Sequence, residues 1–145
     1  MAFSQAGSAP PGDIIASQEA RTLFQLVGDL RAKGGMCLST PMAASTPLSF
    51  HPGLQAAAER DAAAAVSKGG FGIARGVSPE RPGEVFSYPG PAVAVLTGIS
   101  RSSARAMLDV WMLDPTRCSI LLAPEYRDAG VAHVNGHWVL LLGRH

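Results

Sequence analysis

Asp128-Ala129-Gly130-Val131-Ala132-His133-Val134-Asn135-Gly136-His137-Trp138-Val139-Leu140-Leu141-Leu142 is the stretch that decides the fold. Asn135-Gly136 is a strong two-residue hairpin signal, because both residues tolerate the positive φ that the tightest turns demand. A loop of that length fixes the register: Val134 opposes His137, His133 opposes Trp138, Ala132 opposes Val139 and Val131 opposes Leu140. Sorted by strand alternation, both faces of this hairpin come out largely apolar. An antiparallel sheet ordinarily keeps one face wet, so two apolar faces call for helices on both sides. The expected fold is α+β, a three-layer α-β-α sandwich with a small antiparallel sheet between helices.

The rest of the chain supplies those layers. Asp13 is placed to cap a helix over 13–33, whose apolar positions Ile15, Leu23, Leu26, Val27 and Leu30 recur at helical spacing before Gly34-Gly35 ends it. Residues 38–50 carry too much Ser, Thr and Pro for either period and read as a connecting segment with a short extended piece. Pro52 suits the first turn of a second helix built on Leu54, Ala57, Ala58, Ala62, Ala65 and Val66 and stopped by Gly69-Gly70. Its face is nearly all Ala, so another element must approach it closely. Residues 70–91, dense in Gly and Pro, read as a long irregular loop of the kind that is functional or mobile. A short strand follows over 92–96. Ser100 or Ser102 then caps a third helix, with Ala104, Met107, Leu108 and Trp111 on one stripe, and Pro115 stops it. Residues 118–122 read as one more strand before the hairpin, and Trp138 is expected to be buried against the helix layer that holds Trp111 or against the opposite one. Residues 1–12 cannot bury enough apolar surface to order themselves and read as a flexible tail, leaving 13–145 as one domain.

Twelve Lys and Arg stand against eleven Asp and Glu, which leaves no basic field for nucleic acid or an anionic membrane. No apolar stretch approaches the roughly 20 residues that span a bilayer, so no integral membrane segment is expected. The first twelve residues lack the charged and apolar regions of an export signal, so a processed exported chain and a cytoplasmic start both fit. The two cysteines cannot hold structural zinc by themselves, and their spacing of 81 positions is no redox motif; they are either bonded or two buried thiols. Enzyme constellations are missing too. His145 is terminal, His51 sits at a helix start and reads as an exposed turn residue, His133 reads as a packing partner of Trp138, and His137 as a solvated strand residue. No nucleophile elbow accompanies them, and Glu59 and Asp61 point to different faces of their helix.

The order Trp111-Met112-Leu113-Asp114-Pro115-Thr116-Arg117-Cys118, Pro124-Glu125-Tyr126-Arg127-Asp128-Ala129-Gly130-Val131, then Trp138-Val139-Leu140 resembles the bacterial, SCP-like branch of the CAP superfamily of cysteine-rich secretory, antigen 5 and pathogenesis-related proteins. The resemblance covers roughly residues 14–143 and independently implies the α-β-α sandwich. It also implies that Cys37 and Cys118 are bonded in an oxidising compartment, a link that stabilises such a fold by roughly 4–5 kcal/mol in the chain-entropy model. Metal-binding members use two His and two acidic residues in a cleft. The matched positions here hold Ile73, a residue near Val95, and Arg117, with Asp114 as the acidic survivor; Glu84 of Gly83-Glu84 is a shifted candidate for the second acid. Ile, Val and Arg offer zinc no donor. The expectation is therefore no metal, no cofactor and no catalytic residue. Asp114 and Arg117 are spaced to pair across a helix end. The resemblance thus implies an exported, monomeric, non-catalytic protein, secreted or in the cell envelope, that binds a lipid-like ligand or a protein partner. Phe71, Phe86, Tyr88 and Val93 are compatible with a lipid. A hydrolase with an unrecognised active site, or a purely structural envelope domain, are the alternatives.

Overall fold

The computed structural model describes residue 15 and residues 17–68, 92–100 and 103–144. In chain order the elements are helix α1 (Gln18–Lys33), strands β1 (Gly35–Cys37), β2 (Thr40–Met42) and β3 (Ser49–Phe50), helix α2 (Pro52–Lys68), strand β4 (Ala92–Ile99), helices α3 (Ala104–Met112) and α4 (Pro115–Leu122), and strands β5 (Asp128–Val134) and β6 (His137–Arg144). β1 and β2 form a small antiparallel pair. The other four make one sheet in the order β3-β5-β6-β4, antiparallel except for the short parallel pairing of β3 with β5.

The hairpin register is the one its loop dictates, from Val131 opposite Leu140 to Val134 opposite His137. Asn135 and Gly136 take φ of 46° and 81° at the turn. Alternation along the strands then splits the core in two. Ala94, Leu96, Val131, Trp138, Leu140 and Leu142 pack with Leu23 and Val27 of α1 and with Met107, Leu108 and Trp111 of α3. Val93, Val95, Ala132, Val139 and Leu141 pack with Leu54, Ala57, Ala58 and Ala62 of α2. Helices therefore cover both faces, as expected, and of the two layers open to it Trp138 lies in the one that holds Trp111. Each indole finds a carbonyl: Trp111 Nε1 donates to Thr97 at 3.0 Å and Trp138 Nε1 to Ser100 at 3.0 Å.

The Ala face of α2 is explained by Gly130. A Cβ added there would collide with the backbone of Leu54 and Gln55, so helix and strand touch main chain to main chain. The contact lets the buried Gln55 amide accept from the Val131 N–H at 2.8 Å and donate to the Val131 C=O at 2.7 Å. Gln55 thus stands in for a neighbouring strand where β3 has ended.

Several expected boundaries move. α1 starts at Gln18, capped by Ser17, whose hydroxyl accepts from the Ala20 N–H; Asp13 lies outside the described residues. Residues 38–50 are more ordered than a connector, because they hold β2 and β3. β4 runs on to Ile99, paired along its length with β6, and the cap of α3 is Ser103, neither Ser100 nor Ser102, the latter outside the described residues. Residues 118–122 are helical, not a strand. α3 has already ended at Met112, and Pro115 opens α4, where its missing N–H costs nothing and its fixed φ suits the first turn. The long loop of 70–91 lies outside the described residues. Among the described residues no helix is long and apolar enough to cross a membrane.

A buried Arg31 locks these pieces together. Its guanidinium donates to the carbonyls of Thr46 at 3.0 Å, Leu121 at 2.9 Å, Ala123 at 2.9 Å and Tyr126 at 2.6 Å.

Trp138 fills the middle of the α1–α3 layer, so replacing it by Ala is expected to destabilise the fold by about 3–5 kcal/mol through lost burial and an unfilled cavity. Chemical denaturation of the two proteins checks this. An unchanged midpoint would mean that the indole is not a core residue.

Candidate functional site

The two cysteines are joined. Cys37 at the end of β1 and Cys118 in α4 form a disulfide with Cα atoms 5.5 Å apart, wrapped by Leu122, Leu30, Met42 and Met112. Asp114 and Arg117 also meet, with Arg117 Nη1 donating to Asp114 Oδ2 at 2.7 Å, both about one third exposed. That bond occupies the carboxylate at the mouth of α4, and Asp114 makes no side-chain cap there.

The other cleft positions do not join them. Val95 is sealed in the α2-side cluster, whereas α4 sends Leu121 into the cluster on the opposite face of the sheet. Ile73 and Glu84 fall outside the described residues, as do Phe71, Phe86 and Tyr88. Val93 is core, 1% exposed, so it cannot present itself to a ligand. Of the positions that the resemblance assigns to a metal, Val95 has no donor atom and Arg117 is a cation bonded to Asp114. Among the described residues no three His, Cys, Asp or Glu are grouped to hold one.

The histidines have structural surroundings. His51 is a cap rather than a free turn residue, its Nδ1 accepting from the N–H groups of Gly53 at 3.1 Å and Leu54 at 3.3 Å. His133 stacks on Trp138 with ring centroids 3.9 Å apart. Its Nε2 is buried without a hydrogen-bond partner among the described residues, and burial holds the imidazole pKa below its usual value, against the opposing pull of Glu19. Glu19 is itself engaged, accepting from the Ala104 N–H at the start of α3 at 3.1 Å.

A concave surface lies elsewhere, along the outer side of α1. An open groove of about 730 Å³ runs between that helix and residues 47–50. Ile15, Phe24, Leu48 and Phe50 give it apolar walls, Gly28 and Ala32 leave it room, and Arg21, Gln25 and Asp29 stand along its length. The Arg21 guanidinium donates to the Ile15 carbonyl at 2.8 Å. The volume is that of an ordinary small-ligand site.

The sequence carried one signal for this groove. Phe24, Gly28 and Ala32 recur every four residues beside the buried stripe of Leu23 and Val27, so the apolar face of α1 is wider than its core contact needs. A glycine in the middle of that second stripe is out of place in a helix unless something requires it.

Burial makes neutral His133 the favoured form in the folded protein. Its contribution to stability is therefore complete above the unfolded pKa near 6.5 and is lost as pH falls through the lower folded value. His133→Gln is expected to flatten the acid limb of a melting-temperature profile just below that pH. Superimposable profiles for the two proteins would show that His133 is not proton-linked to folding.

No family model matches the sequence, and no curated protein matches it. Solved structures do match the fold. A cysteine-rich secretory protein of Staphylococcus aureus superposes with a TM-score of 0.69 at 17% identity over 90% of this chain and 40% of its own. An extracellular SCP-domain protein of Bacillus anthracis gives 0.68 at 11% identity, over 88% of this chain and 40% of its own. An outer surface protein of Borrelia burgdorferi gives 0.65 at 13% identity, over 91% of this chain and 96% of its own. The chain thus spans about two fifths of the first two proteins and nearly all of the third. Its fold is CAP-like.

Proposed function

We propose that this chain is an exported binding domain that works without catalysis and seats an apolar ligand, a lipid-like molecule or an apolar protein segment, in the groove along α1. The disulfide and the extracellular or outer-surface character of the three similar proteins support export. Non-catalytic action rests on the chemistry at hand. His51 is spent on a cap, His133 stacks on Trp138, and Arg117 is paired with Asp114.

The observation that carries this reading is Gly28. Inside a helix a glycine is less stable than alanine by about 1 kcal/mol, a cost usually met only where backbone or packing demands it. Among the described residues neither does so here: a Cβ at Gly28 would meet only the Cβ of Pro47, at an ordinary 3.8 Å. What glycine secures is the open space between α1 and residues 47–50.

Gly28→Leu is accordingly expected to raise the melting temperature by a few degrees while filling the groove. Titration of the parent with a fluorescent fatty acid or an apolar peptide should show saturable binding, and the variant should lose it. Ester turnover by the parent that the variant retains in full, with no ligand bound, would replace this reading with a hydrolase whose site lies elsewhere.

A further inference from the structure

The outer edge of the sheet borders the same groove. In β3 the Ser49 N–H donates to the Arg127 carbonyl at 2.8 Å, and the His51 N–H donates to the Ala129 carbonyl at 2.9 Å. Both donors point at β5. Main-chain groups alternate sides along a strand, so the N–H and C=O of Phe50 between them point away from β5, and no described residue hydrogen-bonds them. The β5 edge just past β3 is closed by a different device, the Gln55 amide on Val131. The fold therefore fills the inner side of this edge, and on the outer side, where Phe50 lines the groove, none of the described residues pairs with it.

A main-chain donor and acceptor that no described residue pairs, beside an apolar trough, match one ligand chemistry: another extended main chain, with an apolar side chain at every second residue. An acyl chain would fill the trough, but it offers nothing to the Phe50 N–H and C=O. We propose that the groove receives an extended apolar segment of a protein partner, which adds to β3 as a further edge strand and seats one side chain over Gly28 between Phe24 and Leu48. Arg21 and Asp29 place one charge of each sign at the groove, so the segment needs no strong charge of its own. β3 is only two residues long, so the ladder is short and the seated side chain supplies specificity. This inference rests on the groove being the binding site.

The test uses a panel of blocked, fluorescein-labelled hexapeptides alternating Thr with Val, Leu, Ile or Phe, titrated into the full chain and followed by anisotropy. Each peptide has two counterparts, N-methylated at the odd or at the even amides, which keep the side chains but remove the donors along one edge. At least one peptide is expected to bind saturably. One methylated register should bind about tenfold more weakly or worse, the other less affected, and Gly28→Leu should abolish binding. Equal binding of the parent peptide and both methylated registers would overturn strand addition. Saturable palmitate binding that Gly28→Leu removes, with no peptide bound, would overturn it too while leaving the groove as the binding site. If neither peptide nor palmitate binds, this inference and the proposed function both fall.

Discussion

Leu140 sends its side chain toward α1 and α3, while Leu141, next to it, sends its own toward α2, and neither face of the hairpin can be wetted without exposing a run of large apolar groups. Helices must lie on both sides. On one face Trp138 and Leu140 demand the broad cover of two helices, and both Trp indoles find carbonyls at the far end of β4 or just beyond it. On the other face Gly130 removes the side chain that would hold α2 away, so an Ala-rich helix settles directly on β5. The asymmetry of the two layers follows from which residues alternate along β5 and β6.

Hydrophobic burial alone does not hold the irregular part of the molecule. Residues 43–48 and 123–127 have no ladder of their own for most of their length, yet they must stay against α1 and α4. Arg31 does this with one group. Its planar guanidinium offers five donors in a fixed fork, and four carbonyls from three separate segments converge on it. Lys has three donors on a pivoting point and could not span them. Burial pulls the Arg31 pKa down and Glu125 pulls it back up, and a guanidinium remains charged through such a shift. The disulfide acts on the same region from the other side, tying α4 to β1.

The hairpin was legible in the sequence because its evidence was local: two turn residues and a strict alternation. The helix core stripes and the second layer were legible for the same reason. Residues 118–122 were misread as a strand, because a short apolar run carries no period of its own; Pro115, taken as a stop, was the start of α4. Arg31 was invisible. Nothing in its neighbourhood distinguishes a buried arginine from a solvated one in the last turn of a helix, since its four partners are carbonyls, which every residue possesses. His51 was misjudged in the same way, because its ring accepts from backbone amides. The groove left only the trace of Gly28, a residue whose cost becomes visible once the space around it is known.

That cost also explains why a binding site would sit at this edge of the fold and not between the layers. Among the described residues the interior on both faces is packed: Val95, Val139 and Leu141 against α2, and Trp111 and Trp138 in the layer of α1 and α3. A ligand there would have to displace core. At the margin of the sheet the situation is different, since β3 is a two-residue strand that covers only the start of β5 and leaves α1 overhanging residues 47–50. Phe24 and Phe50 on that overhang are partly buried against the core and partly turned to the groove, so they are held rigidly without being consumed by packing. An apolar ligand entering beside them gains burial on surfaces that folding has already ordered, and pays little further conformational entropy to do so. A stable two-faced sheet with one deliberately short edge strand gives the fold a rigid wall and an open margin at the same place.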